Sequence, residues 1–556
     1  MKLDLGGGAN TLILANAANA GTVSNIGTLT GGSGADAITL GAGVAGASID
    51  LGGGSDSLLL ANATNAATIA NVEVLTGGTG NDSVTLVTPL STAMTLDLAA
   101  GANKLVLAGT GGTGTASNVG TLVGGAGGDV VTLATTLIAG SVDLGAGADI
   151  LVLANGANVA TLGNVESLIG GSGADTLTLA AGAAGASIDL GSGSDTLTLS
   201  ASGTNASLAN IETVVGGVGN DAIALFTALT AGMSVNLGAG ANSLGLANLA
   251  NTGTVANIGT LNGGSGADRV TLGAAAACAS IDLGTGNDSL SFGNFANAAT
   301  LANIETVLGG SGNDTIALNS PLTGGTSIDL GAGSNKLTLG SAGNAGSVRN
   351  VATLIGGAGN DAIAFGTAAV NGSMDLGAGS DTLALAGYTN RVSVTNVETV
   401  QGGSGSDTIV LCGSVASTVL GGGGMNFITG NTGADQFVLD QSSHASCTWL
   451  MNFSPAKGDR IALDTAGNAT LSANTYDLGG AALVVNTDLA AAADVASRFA
   501  ITLNNGGKGA FVYQQDTGEL FYSGNGSFAA GGSLISVITS DGVTPWAFNA
   551  NSFMQV

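Results

Sequence analysis

One phrase returns throughout this chain at nearly fixed spacing. Asp-Leu-Gly begins at Asp4, Asp50, Asp143, Asp189, Asp282, Asp329 and Asp375, and variants of it open at Asp97 and Asn236. The steps are 46 or 47 residues, giving nine copies between about residue 3 and residue 418. Self-similarity at a period of this size is the mark of a repeat architecture, in which each unit buries its apolar face only against its neighbours. Each copy has two halves. The first holds a turn such as Gly52-Gly53-Gly54-Ser55-Asp56 and then Ser57-Leu58-Leu59-Leu60. The second holds Asn71-Val72-Glu73-Val74-Leu75, then Gly77-Gly78-Thr79-Gly80-Asn81-Asp82.

The halves fall into register when Asp50 is aligned with Glu73, a step of 23 residues. Short pieces such as Ile38-Thr39-Leu40 and Val84-Thr85-Leu86 alternate between Gly-rich corners and read as strands. The expectation is an all-β fold: a right-handed parallel β-helix or β-roll of about 18 coils with 23 residues per coil, closed by a C-terminal β-rich cap. Residues 1–418 form the solenoid and residues 419–556 hold the last repeats and the cap. Composition supports that boundary, because 14 of the 19 aromatic residues lie beyond it.

The 556 residues include 97 Gly and only 4 Pro, with 45% hydrophobic and 3% aromatic side chains. Gly without a three-residue period and with so little Pro excludes collagen. A net charge of −27, with 10 Lys or Arg against 37 Asp or Glu, argues against a nucleic-acid partner. No long apolar run predicts a membrane span. Cys278, Cys412 and Cys447 have no spacing that implies a disulfide framework. His444 is the only histidine, and its neighbours Ser442, Ser443 and Ser446 make no convincing catalytic set, so an enzyme is not expected.

The acids are confined to a few repeat positions. Eight of the 27 in residues 1–418 are the Asp of Asp-Leu-Gly or of its variant at Asp97. Five end the first Gly turn: Asp56, Asp149, Asp195, Asp288 and Asp381. Five are the Glu that follows Asn-Val or Asn-Ile: Glu73, Glu166, Glu212, Glu305 and Glu398. Nine end the second Gly turn: Asp36, Asp82, Asp129, Asp175, Asp221, Asp268, Asp314, Asp361 and Asp407. Carboxylates stacked on successive coils repel, so a cation is expected between them, and hard oxygen donors favour Ca²⁺. Aspartates that merely make turns would explain single residues but not the rails. Copies with Asp at the first turn carry Glu 17 residues later, whereas Asn10, Asn103, Asn242 and Asn335 are followed at that distance by Gly27, Gly120, Gly259 and Ala352. That paired loss predicts that Asp56 and Glu73, and the four equivalent pairs, share one ion across adjacent coils. Thr39, Thr85, Thr132, Thr178 and Thr271 also recur, as an ice-binding ladder would, but Ala224, Ala317 and Ala364 interrupt them.

Gly-Gly-Thr-Gly-Asn-Asp-Ser-Val-Thr (77–85) resembles the calcium-binding nonapeptide of the repeats-in-toxin (RTX) family, as do 171–179 and 310–318. The resemblance implies several Ca²⁺ ions held by the nine second-turn aspartates and, in the last repeats, by Asp435. That family runs its nonapeptides back to back in coils of about 18 residues. Here a longer Ala/Asn-rich return follows each Gly-rich turn, which predicts calcium along one edge only. Trp449–Ile461 and Phe511–Tyr522, the latter a predicted hairpin with Asp-Thr-Gly at its turn, resemble the C-terminal region of RTX proteins. The implied partner is a type I secretion apparatus, and the implied location is outside a Gram-negative cell or on its surface. The expected function is a secreted calcium-rigidified adhesin or surface-layer-like component that self-associates or meets a surface or glycan partner. The alternative is the repeat and secretion module of a larger RTX toxin or enzyme.

Overall fold

The structure is a computed structural model that describes residues 1–440, 447–464, 483–486, 510–514, 519–523, 533–538 and 553–555. His444 and the Asp-Thr-Gly turn fall outside the described residues. The chain divides into two compact units, Met1–Ala274 with Leu283–Gly286, and Ala275–Asp282 with Asn287–Val556. Within each unit strands alternate between two parallel sheets, here A and B, so that two strands and two corners make one turn of a parallel β-solenoid. Among the described residues there are about 23 turns. Among the described residues no α-helix occurs, and the one helical piece is the 3₁₀ turn Pro455–Lys457.

The turn is shorter than the 23-residue register predicts. Corner residues one turn apart are separated by 17 residues in some turns and by 20, 21 or 22 in others. The reason lies in the strand count. One 46- or 47-residue copy contains five strands, for example Ala45–Gly52, Ser57–Leu59, Ala66–Ala70, Val74–Thr76 and Ser83–Leu86. Five strands are two and a half turns, so equivalent positions of consecutive copies land on opposite sheets and opposite edges. Aligning Asp50 with Glu73 sets a strand residue against a corner residue; Asp50 instead pairs with Thr30 and Ala70. The 23-residue step is a sequence periodicity and not a coil, and the observed turns lie near the coil length of the RTX resemblance.

The half-turn offset also dissolves the threonine ladder. Thr39 and Thr132 lie in sheet A, whereas Thr85, Thr178 and Thr271 lie in sheet B.

Period-2 alternation builds the core. Leu58, Leu75 and Leu96 stack in register in sheet A, and Val84, Leu105 and Leu122 do so in sheet B. All six are buried, and each fully buried aliphatic side chain stabilises the fold by about 1.5–3 kcal/mol. Glycine at the corners lets backbones of successive turns touch. A Cβ on Gly52, whose φ is +81°, would lie 2.2 Å from Gly32 O, closer than any side chain tolerates.

The last turns belong to the second unit. Cys447–Met451 adds to Met425–Thr429 in sheet A and is itself covered by Ser533–Ile538. Ala510–Gln514 and Glu519–Ser523 pair antiparallel, as the predicted hairpin requires, and Glu519–Ser523 also pairs antiparallel with Ser533–Ile538. Ser536 Oγ donates to Thr448 O at 2.7 Å and fixes this cover to the turn beneath.

Candidate metal corners

Many corners are tied to the next turn by a backbone N–H donating to a side chain one turn away. On the B-to-A edge of the first unit, Asn19 N–H donates to Asp36 Oδ1 at 2.8 Å, Asp36 N–H to Asp56 Oδ1 at 2.7 Å, and Asp56 N–H to Glu73 Oε2 at 2.7 Å. The series repeats on that edge at Gly112, Asp129, Asp149 and Glu166. It appears on the A-to-B edge at Asn158, Asp175, Asp195 and Glu212. In the second unit Asn344, Asp361, Asp381 and Glu398 form the same series on the A-to-B edge, and Asp288 N–H reaches Glu305 Oε2 at 2.8 Å. The structure therefore brings the two acids of all five predicted pairs into adjacent turns. It places them on both edges of the solenoid, not along one, because consecutive copies are offset by half a turn.

The remaining acids divide by what donates to them. The aspartates of Asp-Leu-Gly are bound within the protein: Asp50 Oδ1 accepts from Gly52 N–H at 3.0 Å and from Asn71 Nδ2, one turn on, at 2.7 Å. Asn71 stands in the left-handed region at φ 52°, a conformation Asn adopts more readily than other side chains. Equivalent pairs include Asn118 with Asp97 and Asn350 with Asp329. These Asn residues went unrecognised as a ladder in the sequence, although each lies 21 residues after its acceptor.

Most second-turn aspartates also have protein donors. Asp82 Oδ1 accepts both the N–H and the Nδ2 of Asn65, at 3.1 and 2.7 Å, while Oδ2 accepts from Gly78 N–H at 3.2 Å. Asn158 serves Asp175 in the same way, Asn251 serves Asp268, Asn297 serves Asp314, and Asn390 serves Asp407. Thr204 N–H alone reaches Asp221 Oδ1 at 2.8 Å. Near the end Asp435 accepts from Ser417 N–H and Asn431 N–H, both at 3.0 Å. Burial pushes its pKa up to about 6.

The first-turn aspartates share one feature with Asp36, Asp175, Asp221 and Asp314 of the second turn, an Oδ2 buried without a partner. Asp56 and Asp149 are fully buried and Asp195 and Asp381 nearly so, yet their Oδ2 atoms have no hydrogen-bond partner. An ionised oxygen buried without a donor is expensive. Burial, opposed by the N–H of the preceding turn and reinforced by the neighbouring acids, raises the pKa of each; for Asp56 those acids are Glu73 and Asp36.

Among the described residues no three His, Cys, Asp or Glu side chains gather as a metal cluster. An ion at a first-turn corner would therefore have two carboxylates, as at Asp56 and Glu73, and would draw its other ligands from backbone carbonyls. Such an all-oxygen donor set fits Ca²⁺.

No protein-family model matches the chain, and no curated protein gives a significant match. The chain is similar to the crystal structure of a hyperactive, Ca²⁺-dependent, β-helical antifreeze protein from an Antarctic bacterium, with 16% identity over 70% of this chain and 89% of that one. The TM-score of that match is 0.12. Among the described residues no helix is long and apolar enough to cross a membrane.

Proposed function

We propose that this chain is a calcium-stabilised structural β-solenoid that works outside the cell. The observation that carries the reading is the buried, unpartnered Oδ2 of Asp56 beside Glu73, repeated at Asp149, Asp195 and Asp381. Two carboxylates brought together without a counter-charge oppose folding, and a divalent ion between them reverses the sign of that contribution. Binding to the folded state alone adds stability by mass action. Extracellular Ca²⁺ modules have dissociation constants of about 0.1–1 mM, so the solenoid would remain loose where calcium is scarce and set where it is plentiful. This suits export through a type I apparatus before folding. The role we assign is that of an adhesin-like or surface-layer-like component rather than a catalyst.

The test is calorimetry and circular dichroism of the whole chain, stripped of metal and then titrated with Ca²⁺ to millimolar concentration. A gain of β-structure and a rise in melting temperature are expected, with Mg²⁺ much less effective because it demands a stricter octahedron. No change with Ca²⁺ would remove the proposal.

A further inference from the structure

The first-turn corner exists in a second form that needs no ion. In the copies with Asn, the side-chain Oδ1 does what Asp56 Oδ1 does: Asn103 Oδ1 accepts Asp82 N–H at 2.9 Å, as Asp56 Oδ1 accepts Asp36 N–H at 2.7 Å. With Oδ1 fixed alike, Nδ2 of Asn103 occupies the place of Oδ2 of Asp56. That Nδ2 donates to three backbone carbonyls, Leu98 O at 3.0 Å, Ala99 O at 3.1 Å and Asn118 O at 3.0 Å. Asn10, Asn242 and Asn335 do the same, each to three carbonyls at equivalent positions. At an Asp corner the residues at the corresponding positions are Leu51, Gly52 and Asn71, and Asp56 carries a carboxylate oxygen where Asn103 carries its donor.

We propose that the N–H groups of the Asn103 carboxamide, and of Asn10, Asn242 and Asn335, bridge to the backbone carbonyls as the divalent cation does between Asp Oδ2 and those carbonyls at the Asp–Glu corners, so that each copy carries either a metal clamp or a built-in amide clamp. The inference rests on the calcium reading above and specifies where the ions go. It explains the paired exchange. Asp plus Glu with Ca²⁺ is electrically neutral, and so is Asn with Gly or Ala; a Glu left beside Asn would be a carboxylate with no ion. It also explains why Gly120 N–H still donates to Asn103 O at 2.9 Å, as Glu73 N–H does to Asp56 O at 3.0 Å: the backbone is the same and only the clamp differs. Among the described residues, five copies are metal-clamped and four amide-clamped.

Two double variants of the whole chain test this, with bound Ca²⁺ counted by native mass spectrometry at neutral pH and the melting temperature measured in EDTA. D56N/E73G should bind one ion fewer than the native chain and melt higher in EDTA, because a repelling pair has become an amide corner. N103D/G120E should bind one ion more and melt lower in EDTA. D56N/E73G removes both charges and the bond that Glu73 Oε2 accepts from the residue 56 N–H but adds no charge to the corner, so its ion count decides the question alone if N103D/G120E does not fold. An unchanged count in D56N/E73G overturns the inference and leaves calcium binding standing. A native chain that takes up no Ca²⁺ overturns the reading on which the inference rests as well.

Discussion

Glu73 Oε2 accepts the backbone N–H of Asp56 at 2.7 Å across 17 residues of chain, which places the two carboxylates at one corner of consecutive turns. Removing the Glu carboxylate leaves Asp56 as the single acidic ligand there. Glu73→Ala is therefore expected to weaken calcium at that corner by about tenfold or more, since ligand charge count sets affinity in such sites. The other corners should be unaffected, because interactions in a solenoid run only between neighbours. Calcium titration by isothermal calorimetry checks this: one step should weaken and the rest stay in place. A uniform loss across all steps would mean that the corners do not act separately.

The pH dependence of the metal-free protein should run opposite to that of the calcium form. Burial raises the pKa of Asp56, Asp149, Asp195 and Asp381 above the ordinary value, and Asp435 rises to about 6. The folded chain thus binds protons more readily than the unfolded chain, whose aspartates titrate near 3.9. Where the native state holds more protons, stability falls as pH rises. For Asp435 the loss spans about pH 4 to 6 and is complete above that. In EDTA the melting temperature should be higher at pH 5 than at pH 7.5. In millimolar Ca²⁺ the order should reverse, because protons compete with the ion for the same oxygens. Scanning calorimetry at both pH values with and without calcium provides the comparison, and the same slope in both media would contradict it.

Asn65 should matter equally with and without metal. Its buried Nδ2 donates to Ala61 O at 3.0 Å, Ala63 O at 2.7 Å and Asp82 Oδ1 at 2.7 Å. Asn65→Ala removes all three bonds and leaves the Asp82 carboxylate with fewer donors, at a cost of about 1–3 kcal/mol. The cost should not be larger because Gly112 fills the equivalent position and Asp129 is still held by the Gly112 N–H at 2.6 Å. Denaturant unfolding in Ca²⁺ and in EDTA should show the same decrement. A decrement confined to Ca²⁺ would assign Asp82 to a metal after all.

Sequence periodicity carried the solenoid, and pairwise exchange carried the contact between Asp56 and Glu73. The turn length was hidden because the strongest motif repeats every five strands and a turn uses two. The eye aligns Asp-Leu-Gly with Asn-Val-Glu, although Asp50 belongs with Asn71 and Glu73 with Asp56. The Asn ladder was equally well encoded, as Asn residues 17 ahead of the second-turn aspartates. Asparagine in a Gly-rich return reads first as turn chemistry, and its cross-turn bond becomes visible only once the turn is known. The oxygen left unpartnered at Asp56 has no sequence signature of its own. It follows from Oδ1 being used by Asp36 N–H, a geometric fact.

The left-handed corner at Asn71 offers a test of what holds one turn to the next. Its φ of 52° suits Asn or Gly, its N–H donates to Thr88 Oγ1 at 3.2 Å, and its Nδ2 donates to Asp50 Oδ1 at 2.7 Å. Asn71→Gly keeps the backbone and loses only the side-chain bond, for about 1 kcal/mol. Asn71→Val loses that bond and adds the cost of a β-branched side chain in the left-handed region, for about 2–3 kcal/mol in total. Because neighbouring turns bear the loss, amide hydrogen exchange should quicken in Ala66–Ala70 and Val74–Thr76 and not in distant strands. The Val variant should exceed the Gly variant roughly tenfold, the factor that about 1.4 kcal/mol represents. Equal protection in the two would show that the backbone at Asn71 does not depend on its left-handed conformation.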